Sequence, residues 1–242
     1  MRIALIITLI LACLSPCLAQ QPSPFASQPT VSKNVSDLLE RAAKLSQAGR
    51  GSLAITLIQE AVRISPDSPQ PHLALGTEYA KANRFDEAIA EFESARQINP
   101  RDDQVYLSVG LVMLQEKRYD DALSLFADAS LLNPKEPLHH LMRGVALVRE
   151  AAEKEFSGIS NKAGRDHLLS QAEEALGKAF DLSGGQLVDV YLYRARVHEL
   201  KGARMEAASE LEKYLKASPD SAGANAVREA IRNLQTKAAP SQ

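Results

Sequence analysis

Residues 69–102 read PQPHLALGTEYAKANRFDEAIAEFESARQINPRD, and residues 103–136 read DQVYLSVGLVMLQEKRYDDALSLFADASLLNPKE. Laid one over the other, they keep Gly76 over Gly110, Ala88 over Ala122, Phe92 over Phe126, Ala95 over Ala129 and Pro100 over Pro134. Stepping back by the same 34 residues gives Ala54, Ile58, Ala61 and Pro66. A fixed period held at several coupled positions marks a chain built from repeated supersecondary units. Within one period, Ala88, Ile89, Phe92 and Ala95 are three and four residues apart, which places them on one helical face. Each Pro then ends a helix, because it lacks an N–H and restricts the residue before it. Gly76, Gly110 and Gly144 fall inside helical stretches, where each costs about 1 kcal/mol against Ala. A cost repeated at the same place points to a close helix–helix approach. Ala42 and Ala195 are the small equivalents in the outer repeats.

These positions resemble the tetratricopeptide repeat, a helix–turn–helix unit of 34 residues. On that register the repeats are 35–68, 69–102, 103–136, 137–187 and 188–221. In the last, Tyr191, Arg194-Ala195, Ala207, Leu211, Tyr214 and Pro219 fall at the family's offsets, with Arg194 and Tyr214 in place of its usual Leu and Ala. The resemblance implies an all-α fold, a right-handed α-solenoid of five helical hairpins. The fourth repeat is irregular. The Ala due nine residues after Leu147 arrives at Ala172, an insertion of 16 residues. Turn residues at Ser157 to Gly164 split that insertion, so both helices should be longer by about two turns, roughly 12 Å. Gly184-Gly185 stands where a terminal Pro is due and suits a left-handed helix cap. Ala226, Val227, Ala230, Ile231 and Leu234 then form one apolar stripe, read as a solvating cap helix over 222–237 with a short tail at 238–242.

Composition agrees. The 242 residues include 36 Ala and 32 Leu, no Trp and only 5% aromatics, an inventory that suits helices better than a β-sandwich. The formal charge of −2 gives no general attraction to nucleic acid or to anionic membranes. Arg2, the apolar run from Ile3 to Leu14, and Ser15-Pro16-Cys17-Leu18-Ala19 match a secretory signal peptide over 1–19, too short to span a bilayer. Cys13 and Cys17 both lie in it, so the mature chain is expected to hold no thiol, disulfide or Cys metal site. The residues before either Cys fit a lipoprotein box poorly, and lipidation is not expected. Residues 20–34, rich in Gln, Pro and Ser, read as a flexible linker. The expected location is the bacterial envelope, periplasmic or secreted.

No catalytic constellation is found. Gly177-Lys178 lacks the leading Gly of a phosphate loop, and no strand precedes a dinucleotide fingerprint. His72 and His140 take the fourth position of repeats two and four, where Tyr106 and Tyr191 stand in repeats three and five, so they read as packing rings. His139, His167 and His198 lack metal-ligand spacing. Asp86-Glu87 and Asp120-Asp121 open helices and complement the helix dipole. No catalytic residue, cofactor or metal is therefore expected. The resemblance implies that ligands sit on the concave face, at the second, fifth, ninth and twelfth residues of each unit. The fifth is Leu39, Leu73, Leu107, Leu141 and Leu192, and Thr77, Leu111, Leu114, Val145 and Val148 extend the row. Members that clamp a partner's C-terminal carboxylates place Lys and Asn at the fifth and ninth positions, which this chain does not. The row suits an apolar or amphipathic segment of another protein; alternatively these side chains are inter-repeat core. The expected function is a non-enzymatic adaptor or assembly factor. The competing reading is a self-associating structural protein or an accessory subunit of an envelope complex.

Overall fold

The computed structural model describes residues 33–157 and 162–238. The expected signal peptide, most of the linker and the last four residues lie outside them. Among the described residues the structure is all-α: eleven helices and no strand. The chain divides into two units, Met1–Val112 and Met113–Gln242.

The first unit holds α1 (Lys33–Gln47), α2 (Gly51–Ile64), α3 (Pro69–Lys81), α4 (Phe85–Ile98) and most of α5 (Asp103–Gln115). The linker was expected to reach Asn34, but α1 begins at Lys33; Val35, fully buried, anchors its first turn. In α4 the buried residues are Ala88, Phe92 and Ala95, one stripe. Phe92 lies across α3 at Gly76: a Cβ there would sit 2.6 Å from Phe92 Cε1 and 3.0 Å from the Ala88 carbonyl oxygen. The glycine is therefore a steric requirement of the hairpin. The turns follow one design. Gly49 (φ 72°) and Asn83 (φ 58°) take the left-handed conformation. The next N–H then reaches back five residues, Arg50 to the Leu45 carbonyl at 2.8 Å and Arg84 to that of Tyr79 at 2.9 Å. A second device ties hairpin to hairpin. His72 Nε2 lies 3.0 Å from the Pro66 carbonyl, and the Tyr106 hydroxyl donates to the Pro100 carbonyl at 3.2 Å. The ring at position four thus fastens the turn that closes the preceding repeat.

The second unit holds the end of α5, α6 (Tyr119–Leu132), α7 (Pro137–Ser157), α8 (Lys162–Leu182), α9 (Asp189–Leu200), α10 (Arg204–Ala217) and α11 (Ala224–Ala238). The turn design recurs: Lys117 (φ 61°) and Gly202 (φ 79°) are left-handed, and the following N–H reaches back to Met113 and His198. Gly184 and Gly185 are left-handed too, with the Gly185 N–H bonded to the Phe180 carbonyl at 2.9 Å. Helices α7 and α8 have 21 residues each, against 12 to 14 in α6, α9 and α10. Lys162 to Gly164, expected in a turn, are the first residues of α8, and residues 158–161 lie outside the described ones. Gly144 faces Leu176, and Ala195 shares a cluster with Leu211, Tyr214, Val227 and Ile231 of α10 and α11. The last helix thus closes the unit with its apolar stripe, starting at Ala224 rather than 222.

Gly76 and Gly144 differ in what they face. At Gly76 the obstacle includes backbone, whereas a Cβ at Gly144 meets only the Leu176 side chain at 2.8 Å, with the nearest backbone atom at 3.5 Å. Gly76→Ala should therefore lower the unfolding free energy by about 1–3 kcal/mol, the usual cost of overpacking. Gly144→Ala should cost less than Gly76→Ala, because only a side chain has to shift and helix propensity gains about 1 kcal/mol. Urea denaturation of both variants checks the pair. Two equal losses, or a stabilising Gly76→Ala, would contradict this packing.

Candidate functional site

The predicted leucine row does not emerge as one accessible surface. In the first unit, Leu39 of α1, Leu73 and Thr77 of α3 and Leu111 of α5 are half-buried. Leu107 is 1% exposed and belongs to the core. In the second unit, Leu114, Leu141, Val145 and Val148 are all buried. Leu192 is half-buried and packs against the cluster around Ala195 and Leu211. The core alternative thus accounts for Leu107, Leu114, Leu141, Val145 and Val148. Every site residue is apolar apart from Thr77, and position five alone does not separate a packed leucine from a presented one. That leaves Leu39, Leu73, Thr77 and Leu111, all on first helices of the first unit, as the accessible part of the row.

Two of these helices are joined by a polar tie that sequence reasoning missed. The Ser46 hydroxyl of α1 donates to Glu78 Oε1 of α3 at 2.8 Å, and Lys81 Nζ donates to the same oxygen at 2.6 Å and to Ser46 Oγ at 2.9 Å. Glu78 is buried, and a buried carboxylate without these donors would be costly, so the tie fixes how α1 lies on α3. The only sequence hint was Ser46 at a twelfth position. Thr77 is quieted by its own helix, donating to the Leu73 carbonyl at 2.7 Å. On α2, Gln59 donates to the Tyr79 hydroxyl at 3.0 Å, and the Arg84 guanidinium lies over the Tyr79 ring at 4.3 Å.

The second unit carries its polar groups differently. Tyr193 is buried and its hydroxyl pKa is pushed up to about 12 by desolvation, only partly opposed by Arg149. Asp189 and, in the first unit, Asp102 are raised by burial. At the ninth and twelfth positions of the fifth repeat, Arg196 pairs with Glu199 at 2.8 Å. Among the described residues no group of three or more His, Cys, Asp or Glu side chains could hold a metal. Among the described residues the most exposed large apolar side chain is Phe156, 93% exposed near the end of α7, with Leu131 of α6 next at 78%. Among the described residues no helix is long and apolar enough to cross a membrane.

Residues 73–137 match the tetratricopeptide repeat family. Over these residues the chain carries tetratricopeptide repeats. No curated protein matches it in sequence. Among solved structures it is similar to PilW, a type IV pilus biogenesis factor, with a TM-score of 0.66 at 16% identity, covering 85% of this chain and 92% of the other. A repeat protein of Thermus thermophilus gives 0.64 at 20%, covering 84% and 99%. YrrB, a repeat protein with an unusual peptide-binding site, gives 0.53 at 16%, covering 83% and 98%. At these identities the likeness concerns the fold, and it extends the repeat architecture beyond the residues the family itself matches.

The burial pattern predicts an asymmetric response to charge in the repeats. Leu107→Glu should abolish cooperative unfolding, since it buries an unpaired carboxylate. Leu73→Glu should cost about 1–2 kcal/mol and keep the helical signal, because the new group can reach water. Circular dichroism melts of the two variants check this. Equal tolerance would place Leu107 at the surface.

Proposed function

We propose that this protein is an exported, non-enzymatic interaction module, an adaptor or assembly factor of the bacterial envelope. On this reading it receives an apolar or amphipathic segment of another protein on the first helices of its N-terminal unit. The observation that carries the reading is that Leu39, Leu73 and Leu111 stay half-exposed, whereas Leu107, Leu114, Leu141, Val145 and Val148 are buried and Leu192 packs against the cluster around Ala195 and Leu211. A helical or extended segment would gain about 25 cal/mol for each Å² of apolar surface removed from water. The Ser46–Glu78–Lys81 tie supports it by holding α1 and α3 in a fixed relation before any ligand arrives, which limits the ordering cost of binding. Export rests on the reading of residues 1–19, and intact mass of protein purified from the envelope tests it: a mature chain beginning near Gln20 is expected, and retention of Met1 to Ala19 would refute it.

For binding, Leu39→Glu with Leu73→Glu should leave the protein folded and lose the partner captured from envelope extracts. A folded double variant that retains its partner would move the site elsewhere. Phe156 and Leu131, exposed in the second unit, favour the second reading, self-association. Light scattering separates the two: a strictly monomeric protein excludes self-association, and a dimer lost on Phe156→Ser would establish it.

A further inference from the structure

Repeats two and four place a histidine at the same point of the unit, four residues before the helical glycine: His72 before Gly76 and His140 before Gly144. In repeat two the ring is satisfied on both sides. Its Nε2 faces the Pro66 carbonyl, and its Nδ1 lies 2.7 Å from Glu91 Oε2. The register between the second helices is fixed by the buried stripe. Ala88, Phe92 and Ala95 correspond to Ala172, Leu176 and Ala179, and the glycines face Phe92 and Leu176 respectively. Glu91 therefore corresponds to Ala175, and the acid that repeat two supplies is missing from repeat four.

The surroundings of His140 have the opposite sign. The ring is 5% exposed, with the Pro134 carbonyl beside it, while its Nε2 makes no hydrogen bond. The charges that act on it are Lys178 of α8 and Arg143 of its own helix, with His139 next to it. Arg194 of α9 reaches the same stretch of α8: its Nη2 comes within 3.8 Å of where a Gly177 Cβ would stand, and its guanidinium lies over the Phe180 ring at 5.2 Å. Among the described residues, none of Arg143, Lys178 and Arg194 makes an ion pair. Glu174 and Asp181, one turn either side of Lys178, leave it unpaired. Lys178 is exposed, and both arginines are half-buried. Cations on adjoining helices without counter-charges attract a carboxylate brought in from outside.

We propose that His140, Arg143, Lys178 and Arg194 form a docking site for an acidic segment of a partner protein, with one of its carboxylates taking the role that Glu91 plays for His72. The cations lie on three successive helices, so a segment carrying several acids fits better than a single ion. None of these residues belongs to the leucine row, and the site stands independently of whatever that row receives.

The test titrates the purified protein with an acetylated, amidated hexaglutamate peptide, followed by calorimetry, with hexaglutamine as the control. Hexaglutamate should bind, hexaglutamine should not, and binding should weaken as salt is raised. Lys178→Ala combined with Arg143→Ala should weaken it by about tenfold or more. Ala175→Glu, which restores the internal acid of repeat two, should compete with the peptide and abolish binding. If that variant fails to fold, the Lys178→Ala and Arg143→Ala pair, which adds no buried charge, decides alone. Equal binding of the two peptides, or hexaglutamate binding unchanged in the double variant, would overturn the proposal.

Discussion

Phe92 presses its ring edge against Gly76, at a distance that leaves no room for a Cβ, and the organisation of each hairpin follows from that contact. A helical glycine lowers the stability of an isolated helix, so it persists only where close packing returns more than it loses. The same economy appears at Gly144 against Leu176, and with Ala195 in the cluster that holds Leu211. One small residue in the first helix and one large residue in the second set the distance between them. The left-handed turn residues Gly49, Asn83, Lys117 and Gly202 then set the reversal. Neither device needs a disulfide, a metal or a large aromatic core.

The position-four ring adds a link between consecutive hairpins, and it is chemically adaptable. A phenol does the work at Tyr106 and an imidazole at His72, since either can bond a carbonyl exposed by the terminal proline. What differs between repeats is the second partner of the ring, and that difference makes repeat four chemically unlike repeat two. Functional variety in such a scaffold is written in substitutions at positions the fold does not constrain.

Much of the fold was legible in the sequence, because packing requirements recur at a fixed interval. Gly76, Ala88, Phe92, Ala95 and Pro100 each mark a steric or hydrogen-bonding necessity, and their repetition turned weak single signals into a register. The extended α7–α8 hairpin was legible for the same reason, as a delay between Leu147 and Ala172. Its turn was drawn too long, because Ser157 and Lys162 to Gly164 are compatible with helix ends as well as with a loop. The site was less legible. Leu73 and Leu107 are the same residue at the same position, yet one is half-exposed and the other is core. That distinction depends on what neighbouring helices cover, which no local pattern records. The Ser46–Glu78–Lys81 tie was hidden for a related reason: its members are 32 residues apart at one step and three at the other, and none repeats.

The glycine admits the large side chain opposite, so that the two residues form a single energetic unit. A double-mutant cycle on Gly76→Ala and Phe92→Leu measures this directly by urea denaturation. Leucine in place of the aromatic ring should make room for the added methyl. The double variant should then be more stable than the sum of the single losses predicts, by about 1 kcal/mol or more. Strict additivity would show that the two residues do not constrain each other and that the glycine is not there to admit the ring.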